Sequence, residues 1–136
     1  MMPSCRYAIV LLFGAASAVA AQEPEPEFAK YLFPPELVMQ HQQNLRLTAE
    51  QRTSITQAIR DLQLKVVDLQ WKMQDEAQKL TALVEGPRVD EAQTLAQVDR
   101  VLGIEREIKR AHMALLVRIK NMLTPEQQDA LRNAKR

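Results

Sequence analysis

The stretch that decides the fold runs from Thr48 to Glu85, TAEQRTSITQAIRDLQLKVVDLQWKMQDEAQKLTALVE, and it contains neither glycine nor proline. Its apolar residues fall at Ile55, Ile59, Leu62, Val66, Leu69, Met73, Ala77, Leu80 and Val84, in steps that mostly alternate between three and four. That spacing holds one stripe along one side of an α-helix, the seam of a long amphipathic helix in a coiled-coil-like pairing. Beside the seam stand Asp61/Lys65, Asp68/Lys72 and Asp75/Lys79, acid-before-base pairs that repeat every seven residues. Each pair contributes only ~0.2–0.5 kcal/mol, but their shared phase supports one continuous helix. At ~1.5 Å per residue such a helix is roughly 60 Å long.

Working outward, Gly86-Pro87 closes this helix, with Gly86 expected in the left-handed conformation that ends many helices and Pro87 unable to continue it. A second long helix follows from about Asp90 to Met122, with Leu95, Val98, Val101, Ile104, Ile108, Ala111, Leu115, Ile119 and Met122 as its stripe. The connection is short, so the two helices form an antiparallel hairpin. A last short helix runs from Thr124 towards Asn133. On the other side, Pro35 opens a short helix to about Leu45, with Leu37, Val38, His41 and Leu45 along one side. No segment alternates as a strand does, so the fold class is all-α. The helical-hairpin domain occupies residues 34–136, and residues 22–33 form an extended leader, acidic at QEPEPE and aromatic at FAKYLF.

Residues 1–21 read as a secretory signal peptide. Arg6 precedes the apolar run YAIVLLFGAASAVAA of Tyr7–Ala21, which ends in Ala18-Val19-Ala20. The run is shorter than the ~20 residues of a membrane-spanning helix and rich in small residues. Cleavage is expected after Ala20 or Ala21; an uncleaved anchor would tether the same domain on the same side of the membrane. The expected location is the periplasm. Cleavage takes one of the 18 basic residues and leaves the remainder evenly matched with the 17 acidic ones. A balanced, interspersed charge supplies no reason to expect nucleic acid as a partner. The single cysteine, Cys5, leaves with the signal, so the mature chain carries no disulfide and no thiolate ligand. It also lacks a serine or cysteine nucleophile with a nearby base, a glycine-rich phosphate loop and a His-Glu-x-x-His motif, so no enzymatic activity is expected.

One start signal occurs twice: Leu47-Thr48-Ala49-Glu50-Gln51 and Leu123-Thr124-Pro125-Glu126-Gln127. Each is a capping box, with threonine at the N-cap and glutamine three residues on reaching back to the N-cap amide. Pro125 fits the first helical position, where its missing N–H is no loss. The leucine before each cap is expected to pack against the hairpin, because Arg52 and Gln128 offer no hydrophobic staple.

Two such boxes flanking a long helical hairpin, behind a signal peptide, resemble the Spy/CpxP family of periplasmic helical proteins. The segments LFPPELVMQHQQNLRLTAEQR and RIKNMLTPEQQ are similar to its heavy-metal resistance and periplasmic metal-sensor branch, over about residues 32–133. The resemblance implies a four-helix protomer, a curved antiparallel homodimer and a role in envelope or metal stress. The family includes ATP-independent chaperones, inhibitors of sensor kinases and metal-sensing proteins.

Three groups of residues are candidates for function. His41 and His112, the only histidines, would form with Glu105 a set suited to Zn²⁺, Ni²⁺ or Co²⁺, with Met39, Met113 and Glu36 as helpers. The alternative is that both histidines pack at interfaces. No histidine pair stands four apart, and no metal is expected to be required. Leu64, Val67 and Trp71 lie on the side of the long helix opposite its seam. They either bury against a second copy or the N-terminal segment, or bind unfolded chains with adaptable methionines nearby. Phe28, Tyr31 and Phe33 either dock on the hairpin or form an arm for a membrane-bound partner. Arg106, Lys109 and Arg110 read as a solvated basic run.

Together these point to a stress-associated binding protein, chaperone-like or a modulator of envelope-stress signalling, whose partners are unfolded proteins or a membrane-bound signalling protein. The alternatives are a periplasmic heavy-metal sensor or resistance protein, and a structural coiled-coil adaptor for a membrane partner.

Overall fold

The computed structural model describes residues 24–136, so the expected signal peptide, Cys5 and the cleavage position lie outside the described residues. A 3-10 turn at Glu27–Tyr31 is followed by helices α1 (Pro35–Gln40), α2 (Gln42–Leu45), α3 (Ala49–Val84), α4 (Glu91–Met122) and α5 (Pro125–Ala134). No strand occurs among the described residues. The long helices α3 and α4 pack against each other as the hairpin.

Helix boundaries follow local chemistry. Thr48 and Thr124 cap α3 and α5, and Asp90 caps α4 through its carboxylate, which accepts from the Gln93 amide. The expected short helix to Leu45 is broken at His41 into α1 and α2. It ends in a Schellman turn: the Leu47 amide donates to the Gln42 carbonyl and the Arg46 amide to that of Gln43. Arg46 occupies the left-handed position of that turn (φ 53°), where glycine is the usual choice. At the other end, the expectation for Gly86 is corrected. No glycine among the described residues has a positive φ, and α3 stops with Glu85 still right-handed. Pro87 supplies the reason, since it confines the residue before it to extended conformations.

The leader is not extended throughout. The 3-10 turn is pinned by two lysines: Lys120 Nζ donates to the Tyr31 carbonyl (2.9 Å), and Lys135 Nζ to those of Ala29 (2.8 Å) and Leu32 (2.7 Å). Carbonyls left free at the end of a short helical turn are natural partners for ammonium groups. Phe33 is completely buried and belongs to the core. Phe28 and Tyr31 stay exposed.

One core sits at the base of the hairpin, where Phe33, Val38, Leu45, Ile55, Ala58, Leu115, Ile119, Leu123 and Leu131 come together. All of it lies between Phe33 and Leu131, so a chain starting at Gln22 contains the whole core. Beyond the base, residues 66–104 form an arm two helices thick, in which only Leu69 and Gln97 are buried.

The seam in the arm differs from the apolar pattern. From Ile59 onward the buried or half-buried positions run Ile59, Leu62, Val66, Leu69, Met73, Glu76, Leu80, Leu83, a strict alternation of three and four. Ala77, Val84 and Leu95, expected in the seam, are exposed, and Glu76, Leu83, Thr94 and Gln97 take their places. The regular heptad phase outweighs the apolar character of Ala77 because the two polar residues satisfy each other. Gln97 Nε2 donates to Glu76 Oε2 (2.6 Å) and to the Glu76 carbonyl (2.9 Å), and Lys79 closes on Glu76 Oε1 at 2.7 Å. A polar pair inside an apolar seam fixes the register of two helices, because any slip buries it unpaired. Lys79 is thereby taken from Asp75. None of the three expected four-apart ion pairs forms among the described residues; Asp61 accepts instead from Gln57.

The Glu76 carboxyl is held below its ordinary value of 4.5, chiefly by the Lys79 hydrogen bond and next by that of Gln97. A depressed carboxylate contributes stability above its unfolded value, and that contribution is lost as pH falls through the folded one. Glu76→Gln is therefore expected to lower the melting temperature near neutral pH, with the gap to wild type closing well below pH 4.5 in circular-dichroism melts.

Candidate functional site

The two start motifs meet in space. In each, the threonine hydroxyl accepts from the glutamine amide three residues on (3.0 Å for Thr48, 3.2 Å for Thr124). Each glutamine Oε1 accepts in return from the threonine amide, at 3.0 Å for Gln51 and 2.9 Å for Gln127. The remaining half of each carboxamide faces the other. Gln51 Nε2 donates to Gln127 Oε1 at 2.8 Å, and Gln127 Nε2 donates to Gln51 Oε1 at 3.1 Å. The second amide hydrogen of Gln51 goes to the Met122 carbonyl (2.9 Å), and that of Gln127 to the Leu45 carbonyl (3.1 Å). Every donor and acceptor of both carboxamides is used. Glutamate would serve an ordinary capping box equally well. Only glutamine can cap its own helix and donate to the partner motif, which is why this position reads as glutamine twice.

The junction thus joins the starts of α3 and α5 to the ends of α2 and α4. Leu123 is buried in the core and Leu47 packs against it, as expected of the leucines before the caps. Gln128, which offers no staple, caps the end of α4 by donating to the carbonyls of Lys120 (3.0 Å) and Leu123 (3.2 Å).

An open groove of about 850 Å³ lies between the start of α1 and the hairpin, lined by Pro34, Glu36, Met39, Ile59, His112 and Leu116, among others. His112 is exposed and lines that groove, as do Met39 and Glu36 from α1 and the guanidinium-bearing Arg60 from α3. His41, half-buried at the break between α1 and α2, is not part of that lining. Glu105 borders a different hollow, with Leu102, Arg106, Lys109, Arg110 and Met113. The set His41, His112 and Glu105 is thus not gathered within one chain, and no three His, Cys, Asp or Glu residues cluster among the described residues.

The outer side of α3 carries the apolar patch. Leu64, Val67 and Trp71 are 71%, 49% and 66% exposed, so the described part of the leader, residues 24–33, does not cover them. On α4, Leu95, Leu102, Met113 and Val117 are also exposed. No helix among the described residues is long and apolar enough to cross a membrane.

Three features escaped the sequence reading. The Glu76–Gln97 pair was hidden because apolar Ala77 is adjacent. The reciprocal glutamine pair was hidden because each box is complete as a local cap. The lysines under the leader carried no pattern at all.

Fold and junction define an all-α helical hairpin locked by paired Leu-Thr-x-Glu-Gln caps. The chain belongs to the heavy-metal resistance family, whose model matches residues 7–130. No curated protein and no solved structure matches it.

Gln51→Glu keeps the local cap but removes the donor to Gln127 and to the Met122 carbonyl. We expect a loss of about 2–3 kcal/mol in urea unfolding, with Gln127→Glu similar and the double variant losing more than the sum, because it sets two carboxylates against each other with no donor between them. Additive losses would mean that the two caps act separately.

Proposed function

We propose that this protein is an exported, periplasmic binding protein of heavy-metal resistance that takes up a divalent ion in the groove beside His112. Family membership over residues 7–130 carries the reading. The groove supports it: His112 offers an imidazole nitrogen, Met39 a thioether and Glu36 a carboxylate. Mixed nitrogen, sulfur and oxygen donors suit borderline ions such as Zn²⁺, Ni²⁺ and Co²⁺. Within one chain this is a partial shell, which fits capture and release of an ion better than permanent storage. Export rests on the apolar run before the domain and the A-x-A site that ends it.

Isothermal titration of residues 22–136 with each of the three ions tests the proposal. Binding should weaken roughly tenfold or more in His112→Ala, with His41→Ala close to wild type. No binding of any of the three ions, or unchanged binding in His112→Ala, would overturn it.

The exposed arm favours a second reading, chaperone-type binding of unfolded chains. Leu64, Val67 and Trp71 form an apolar patch on the outer side of α3 that is exposed among the described residues. Trp71→Ala should then reduce suppression of client aggregation in light scattering, without added metal and with helicity unchanged. If the variant instead loses self-association while suppression stays intact, the patch serves a second copy.

A further inference from the structure

The chain is nearly neutral as a sequence, but its charges are not evenly placed. The arm, residues 66–104, carries seven acidic and four basic residues. The rest of the described chain carries thirteen basic and nine acidic ones. At the foot of the base, where the leader meets α5, a hollow of about 520 Å³ is lined by Lys30, Tyr31, Arg132, Lys135 and Arg136, with Glu25 and Glu27 at the leader side. Three cations surround the Tyr31 ring: Lys30 at 4.9 Å from its centre, Arg132 at 5.5 Å and Lys120 at 5.9 Å.

So many like charges in one place call for counter-charge, and the chain supplies only part of it. Glu27 holds Lys30 at 2.8 Å, and Asp129 lies 3.4 Å from Arg132. Among the described residues, Lys120, Lys135 and Arg136 form no ion pair. Arg132 Nε is buried with no acceptor. An oxyanion entering the hollow would meet Lys30, Arg132, Lys135 and Arg136, which line it, with exposed Phe28 and Tyr31 alongside.

We propose that the foot of the base is a docking surface for an anionic phospholipid membrane, the lipid phosphates entering the hollow around Tyr31. Cations beside exposed aromatic side chains match the two layers of a bilayer interface, charged headgroup and amphipathic belt. The sequence ahead of the domain favours this end. The described chain begins at Pro24, three residues after the apolar run ends at Ala21, a reach of at most ~10 Å. While that run is in a membrane, during export or as a retained anchor, the foot is held against the lipid. The charge separation orients the molecule the same way: an anionic surface attracts the base and repels the acidic arm, which projects outward with its apolar patch free.

The test is co-sedimentation of residues 22–136, which hold the whole core, with phosphatidylcholine vesicles with and without phosphatidylglycerol. Binding only to the anionic vesicles, falling with added salt, is expected. The double variant Lys30→Gln/Arg136→Gln should weaken it about tenfold or more, and Phe28→Ala should weaken it too. Lys72→Gln/Arg88→Gln, which removes the same charge from the arm, should leave it unchanged. No binding to anionic vesicles, or equal losses in the base and arm variants, overturns the proposal. So does an NMR response of Arg132 to inorganic phosphate without vesicle binding, which would make the hollow an ion pocket.

Discussion

The rest of the molecule depends on the reciprocal hydrogen bonding of two side-chain amides, Gln51 and Gln127. Separated by most of the hairpin in sequence, they hold the start of α3 and the start of α5 in one fixed relation. Through the carbonyls of Met122 and Leu45 they also fix where α4 and α2 end. The apolar core forms around this junction because it brings four helix termini together. Helix termini carry unsatisfied backbone groups that burial would otherwise penalise. Here those groups are met by side chains from the neighbouring element, so the termini can be packed.

From that anchor the molecule divides into a base with a core and an arm without one. Two helices alone cannot cover each other's outer faces, and so the arm leaves apolar side chains in water on both sides. Its register is held by Glu76 and Gln97 at a point where the apolar seam thins out. The division separates three surface features physically: a groove bearing His112, Met39 and Glu36 near the base, an apolar patch on the outer side of α3, and a basic foot beneath.

Much of the fold was legible because helix signals are local. Thr48, Thr124 and Asp90 mark their helix starts through their own capping chemistry, and the spacing from Ile55 to Met73 shows the seam directly. What could not be read depends on which residues face each other across the hairpin. A polar residue is buried when its partner sits opposite, so Glu76 became a seam residue only once Gln97 was placed. The same limit applied to the site. His112, Met39 and Glu36 were found as candidates by their types, but that they share one groove without His41 or Glu105 is set by how the short helix α1 docks. Gly86 misled for a local reason, because the constraint imposed by Pro87 was not weighed against its own freedom. The basic foot was invisible to composition, since a balanced total conceals an uneven arrangement in space.

The most direct test of the central functional claim is an NMR titration of residues 22–136 with Zn²⁺, following backbone and imidazole signals. Shifts centred on His112, Met39 and Glu36, with the side-chain amides of Gln51 and Gln127 unmoved, would place the ion in the groove on an intact junction. Shifts centred instead on His41 or Glu105, or no shift at all, would contradict the groove as the metal site.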